Sequence, residues 1–163
     1  MPKISSNKSF REALASLSAQ QQRLVGACLI KNVLDLTKNK QIIQAQSVSA
    51  SSDATADDIK QAYQAAHNSY IDTHPHSEMD ALDWATQAEY FIAKACMTCL
   101  DPACEKSLKH HLAQRVSMYC MMARACANID HDGNYPTFHT TEEVTKKEVD
   151  DQYRIVNEFI EKE

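Results

Sequence analysis

Six cysteines and seven histidines are the side chains of this chain best suited to hold a metal or supply a nucleophile. Three of the cysteines lie close together: Cys96 and Cys99 in the run Cys96-Met97-Thr98-Cys99, then Cys104. Thiolates at this spacing can chelate zinc, with a fourth ligand from Cys120 or a histidine. A second reading of the same residues is packing. Cys96 and Cys99 fall on the apolar stripe of a helix, where a free cysteine behaves as a small hydrophobe, and Cys120 and Cys126 fall on another. A redox pair would stand at a helix N-terminus, where the dipole lowers the thiol pKa. This pair stands near a C-terminal end.

The run Asn128-Ile129-Asp130-His131-Asp132-Gly133-Asn134 alternates oxygen side chains and places a glycine where a calcium loop turns. Asn128, Asp130, Asp132 and Asn134 would be the calcium ligands. The first position is Asn rather than Asp, Pro136 enters the second half, and His139 occupies the closing position where glutamate is expected. An ordinary turn rich in Asp, Asn and Gly is the competing reading. The histidines form no His-Glu-x-x-His or Glu-x-x-His pair, and read as surface residues. Glycine-framed serines and phosphate-cradling glycine loops are absent, so no nucleophile or nucleotide motif stands out. Met118, Met121 and Met122 cluster on one helix, where they could line a greasy surface or fill gaps between helices.

These residues must be positioned by helices. Only two glycines occur in 163 residues, Gly26 and Gly133, too few for the turns of a sheet protein. Residues 9–17 read as a short helix. Residues 19–37 read as a longer one with apolar residues round more than half of its circumference, as near the centre of a bundle. The stretch Gln44–Ala54 reads as a connection. Thr55 caps a helix that carries Asp57 and Asp58 in its first turn and stops at Pro75. Helices over 78–100, capped by Ser77, and over 104–129 then form an antiparallel hairpin around Pro102, with Cys120 near the level of Trp84. After a loop over 128–139, Thr140 and Glu143 form a capping box that opens the last helix.

The expected fold is therefore all-α: one helical domain over residues 1–163, a bundle of about five to seven helices with that central hairpin. The net charge is −5, which gives no general attraction to nucleic acid or anionic membrane. No apolar run approaches the roughly 20 residues of a membrane span, and the first residues lack the apolar core of a signal peptide. A reducing cytoplasm is the expected setting for the cysteines.

Four stretches together resemble the YjaG-like family of uncharacterised bacterial proteins. They are Leu17-Ser18-Ala19-Gln20-Gln21-Gln22 leading to Ala27-Cys28-Leu29, then Met79-Asp80-Ala81-Leu82-Asp83-Trp84-Ala85, the helix Val116–Ala127, and Glu148-Val149-Asp150-Asp151-Gln152-Tyr153. The resemblance implies an all-helical bundle. It brings no known activity and transfers no catalytic or ligand residue. The functional expectation is a non-enzymatic cytoplasmic interaction or regulatory protein, with a protein partner or a homodimer and without cofactor, nucleic acid or membrane. Two alternatives stand beside it. One is a metal-binding protein, with zinc at the cysteines or calcium at the loop. The other is an enzyme whose site is assembled from residues distant in sequence.

Overall fold

The computed structural model describes residues 3–74, 83–129 and 138–162, with backbone alone over 138–141. Among the described residues there are eight α-helices and no strand. Helices α1 (Asn7–Ser16) and α2 (Ala19–Lys31) lead to a 3-10 turn at Leu34–Leu36. Then come α3 (Lys40–Ser49), α4 (Ala56–Asp72), α5 (Trp84–Leu100), α6 (Pro102–Ser107), α7 (Leu112–Ala127) and α8 (Phe138–Lys162). No described helix is long and apolar enough to cross a membrane.

Short polar motifs set where the helices begin. Ser6, Ser18 and Thr55 each accept a bond from the backbone N–H three residues on, and Ser9, Gln21 and Asp58 reach back to the cap's own N–H. Each such cap contributes about 1 kcal/mol. Asp101 accepts from Ala103 N–H, and Pro102 fills the first helical position, where no N–H is needed.

Several boundaries differ from the sequence expectation. Lys40–Ser49 is a helix, so most of the supposed connection from Gln44 to Ala54 is helical. The two of its polar residues that face inward are satisfied there: Gln46 donates to the Ala27 carbonyl at 3.0 Å and Ser49 to Ala45 at 2.9 Å. The helix expected over 19–37 ends at Lys31 and tightens into the 3-10 turn. Asp83 is extended and caps α5 through Ala85 N–H, so that helix starts at Trp84 instead of running unbroken from 78. The Ser77 cap lies outside the described residues. Thr140 lies within α8, whose helical geometry begins at Phe138, so the expected box does not mark its start.

The central hairpin is present with a different register. Residues 102–111 are not the first turns of one long helix. They form the short α6 and a turn, because the bend at Asp101-Pro102 is followed by a second break at Leu108–His111. Helix α7 therefore starts later along the chain. Lys94 on α5 sits 5.3 Å from the Tyr119 ring on α7, while Cys99 and Val116 both lie beside Gly26 on α2. The two helices run antiparallel, and Cys120 is level with the middle of α5 rather than with Trp84.

Helix α5 forms the centre, packed on α4, α7, α2 and α3. Ala88, Ile92, Ala93, Ala95, Cys96, Cys99 and Leu100 are buried on it. Helix α2 crosses it closely. A Cβ at Gly26 would stand 2.9 Å from Cys99 Sγ and 3.6 Å from Val116 Cγ2, so hydrogen is what lets three helices meet there. Helix α8 lies along α7 in the opposite direction, with Ser117 bonded to Gln152 and Arg124 to Glu148. Helix α1 closes this side: the Phe10 ring packs 5.2 Å from that of Tyr153, and Asn157 exchanges two bonds with the Ile4 backbone.

Candidate functional site

Cys96, Cys99 and Cys104 each turn to a different polar neighbour. Cys96 Sγ lies 4.0 Å from the Ile42 carbonyl on α3, Cys99 Sγ 4.0 Å from the Arg23 carbonyl on α2, and Cys104 Sγ 3.6 Å from Asp101 Oδ2. Cys96, Cys99 and Cys120 are buried, while Cys28, Cys104 and Cys126 are half-buried. All six are free thiols, and burial is the main reason each sits above the ordinary thiol pKa. Cys96 is pushed up to about 12. Burial thus disfavours the free thiolate at each of them, against what thiolate nucleophile chemistry needs. Among the described residues no three His, Cys, Asp or Glu side chains gather closely enough to hold a metal ion. Of the calcium-loop residues, Asn128 is the C-cap of α7. Asp130, Asp132 and Asn134 lie outside the described residues, as do His76 and His131. His74, His110 and His111 are exposed as expected, whereas His67 is half-buried, its ring 6.1 Å from that of Tyr63 and 6.3 Å from that of Tyr70.

Two sites emerge that no single motif announces. The first is a polar cleft of about 600 Å³ between α2, α7 and α8, centred on Arg124. Its guanidinium grips Asp35 with two bonds of 2.8 and 2.9 Å, donates to the Asn32 carbonyl at 2.7 Å, and turns Nε to Glu148 at 3.4 Å. Glu148 is 2 % exposed. One of its oxygens also accepts from Asn32 Nδ2 at 3.0 Å and the other from Gln152 Nε2 at 3.1 Å. Gln152 in turn accepts from Ser117 at 2.5 Å. Burial raises the Glu148 pKa, against the bonds from Gln152 and Arg124 that lower it. The bond from Arg124 lowers that of Asp35. A buried carboxyl beside a cleft is one mark of an acid–base catalyst. Here both of its oxygens and all three guanidinium nitrogens are already engaged within the protein. The network clamps three helices together.

The second site is an open groove of about 1030 Å³ between α1 and α7. Phe10 and Ala15 line one wall, and Leu108, Met118, Met121, Met122 and Ala125 the other, with Arg11 and Arg115 at its edges. Met118 is 45 % exposed and Met122 40 % exposed. They are therefore not filling gaps between helices, the reading the core-like pattern of α7 favours. The opposite face of the same helix, with Leu112, Val116, Tyr119, Cys120 and Ala123, is buried. Helix α7 is thus apolar on two sides and covered on one. The sequence did cluster the three methionines. It gave no sign of Phe10 or Arg11, which reach the groove only because α1 folds back against α7 and α8.

No family model, curated protein or solved structure matches the chain. The groove and the cleft thus carry the functional reading by their geometry alone.

Proposed function

We propose that this is a non-enzymatic interaction protein that docks another protein in the methionine-lined groove between α1 and α7. The observation that carries the reading is the exposure of Met118 and Met122 on a helix whose other faces are packed. Exposed methionines cost solvation and contribute nothing to this bundle's own core. Unbranched and polarizable, they adapt to an apolar partner surface. A concave apolar site edged by charged residues is the form such docking surfaces take. Six free thiols fit the reducing cytoplasm as the place of action.

The test compares capture from native-host lysate by the wild-type chain and by a Met118→Glu/Met122→Glu variant. Both substitutions are at exposed positions, so the variant should keep its helical spectrum and its melting temperature within a few degrees. The expected result is at least one protein retained by the wild type and lost by the variant. The same proteins retained by both would remove the groove as the docking site.

A further inference from the structure

A thioether sulfur is oxidised without first losing a proton, so among methionines the rate follows exposure to solvent. Met118 is 45 % exposed and Met122 40 %, one helical turn apart on α7. The other described methionines are half-buried: Met97 packs against the core and Met121 lines the groove wall. Thiols are the competing targets, and this chain withholds them. Cys96, Cys99 and Cys120 are buried, and Cys28, Cys104 and Cys126 are half-buried. Burial holds all six above the ordinary thiol pKa, which leaves little thiolate at or below neutral pH. A dissolved oxidant therefore meets the two exposed thioethers first.

Oxidation there changes one surface and spares the rest. A sulfoxide is polar, with an oxygen that accepts hydrogen bonds, and pressing it against an apolar surface without a donor is costly. Neither Met118 nor Met122 belongs to the buried core, so the bundle keeps its packing. The groove does not keep its character, because these two side chains are its exposed apolar lining on α7.

We infer that Met118 and Met122 form a reversible oxidation switch on the groove, open to an apolar partner as thioethers and closed to it as sulfoxides. The switch rests on the docking role proposed above and regulates that same surface. The oxidant is a peroxide. Each sulfur donates a lone pair to the terminal peroxide oxygen, and the O–O bond breaks. The leaving oxygen takes the proton of the attacked one and departs as water or an alcohol. Sulfur is oxidised by two electrons and the peroxide reduced by two. Methionine sulfoxide reductases reverse the step: the sulfoxide oxygen leaves as water, and two reductase thiols become a disulfide.

The test treats the full folded chain with tert-butyl hydroperoxide at pH about 6, where the thiols stay protonated. Fragment mass spectra then locate each added oxygen. Met118 and Met122 should be oxidised at least about ten-fold faster than Met97, and ahead of every cysteine. In concentrated urea the methionines should react at one rate. The neutral apolar dye Nile red reports the state of the groove. Its fluorescence on the chain should fall at least about two-fold on oxidation and return after treatment with the two sulfoxide reductases and a dithiol. Met118→Leu/Met122→Leu keeps the groove apolar and removes both sulfurs, so its dye signal should survive the same peroxide treatment.

Met97 or a cysteine oxidised as early as Met118 and Met122 would overturn the oxidation site. An unchanged dye signal after oxidation, a signal that the reductases do not restore, or an equal loss in the leucine variant would overturn the switch. Capture from native-host lysate separates the switch from the docking role. Proteins held by the untreated chain should be lost by the oxidised one and kept by the peroxide-treated leucine variant. Proteins held equally before and after oxidation, yet lost by Met118→Glu/Met122→Glu, would overturn the switch and leave the docking role standing. Proteins that the glutamate variant also holds would remove the docking role, and with it the partner the switch acts on.

Discussion

Glu148 illustrates how little of a site a sequence shows one residue at a time. Its partners Arg124 and Asn32 stand 24 and 116 residues away in the chain, and Arg124 in turn binds Asp35, 89 residues from itself. No local pattern joins them, and in the sequence Glu148 reads as one acid in a run of charges. Its energetics follow from burial. At low pH the carboxyl is protonated in both the folded and the unfolded chain. As pH rises past its ordinary value of 4.5, the unfolded chain ionises first while folded Glu148 keeps its proton. Stability attributable to this group therefore falls through that window, until the folded group ionises as well. Asp35 acts in the opposite sense. Its lowered pKa contributes stability above its ordinary value of 3.8 that is lost as pH falls below it, outside that window. Glu148→Gln removes the rising-pH loss. In urea unfolding across a pH series, the stability of the variant relative to wild type should increase as pH rises above 4.5. A difference that does not change with pH would show that the folded carboxyl ionises as freely as the unfolded one.

At the scale of elements, the sequence served best where signals are local. The Thr55 cap, the stop near Pro75, the enclosed α2 and the bend at Asp101-Pro102 all lie in a few adjacent residues, and the structure contains them. It served poorly where tertiary contacts override composition. Helix α3 is rich in Gln and Ser, and forms because Gln46 and Ser49 find partners inside the bundle. The second break at Leu108–His111 carries neither glycine nor proline, so nothing announced it, and the register of the hairpin shifted with it. The sequence marks Gly26 only as one of two glycines, and the structure makes it a packing requirement. Gly26→Ala should gain about 1 kcal/mol of helix propensity. Against that, the new Cβ, 2.9 Å from Cys99 Sγ, brings an overpacking cost of about 1–3 kcal/mol. The net expectation is a loss of about 1 kcal/mol in chemical denaturation. Cys99→Ala in the same chain should recover part of it, a favourable coupling of at least about 0.5 kcal/mol in the double-mutant cycle. Strict additivity would mean that the three helices separate to admit the methyl group.

At the scale of the whole molecule, a bundle has to cover each apolar helix face. Helix α5 is enclosed by its neighbours, whereas α7 keeps one methionine-bearing face open beside α1. The periodicity that identified α7 as a helix could not tell these faces apart, because apolar residues occupy both. Which face is core and which is open depends on where α1 and α8 return to the bundle. Other exposed apolar residues, Ile43 and Ile71, lie on α3 and α4, away from this groove. They provide an internal control for the central claim. A photo-crosslinking amino acid placed at position 118, and separately at 71, can be activated in living cells of the native host. A docking role for the groove predicts a discrete adduct of higher mass from position 118 and none from position 71. No adduct from position 118, or the same adducts from both positions, would contradict a docking role for the groove.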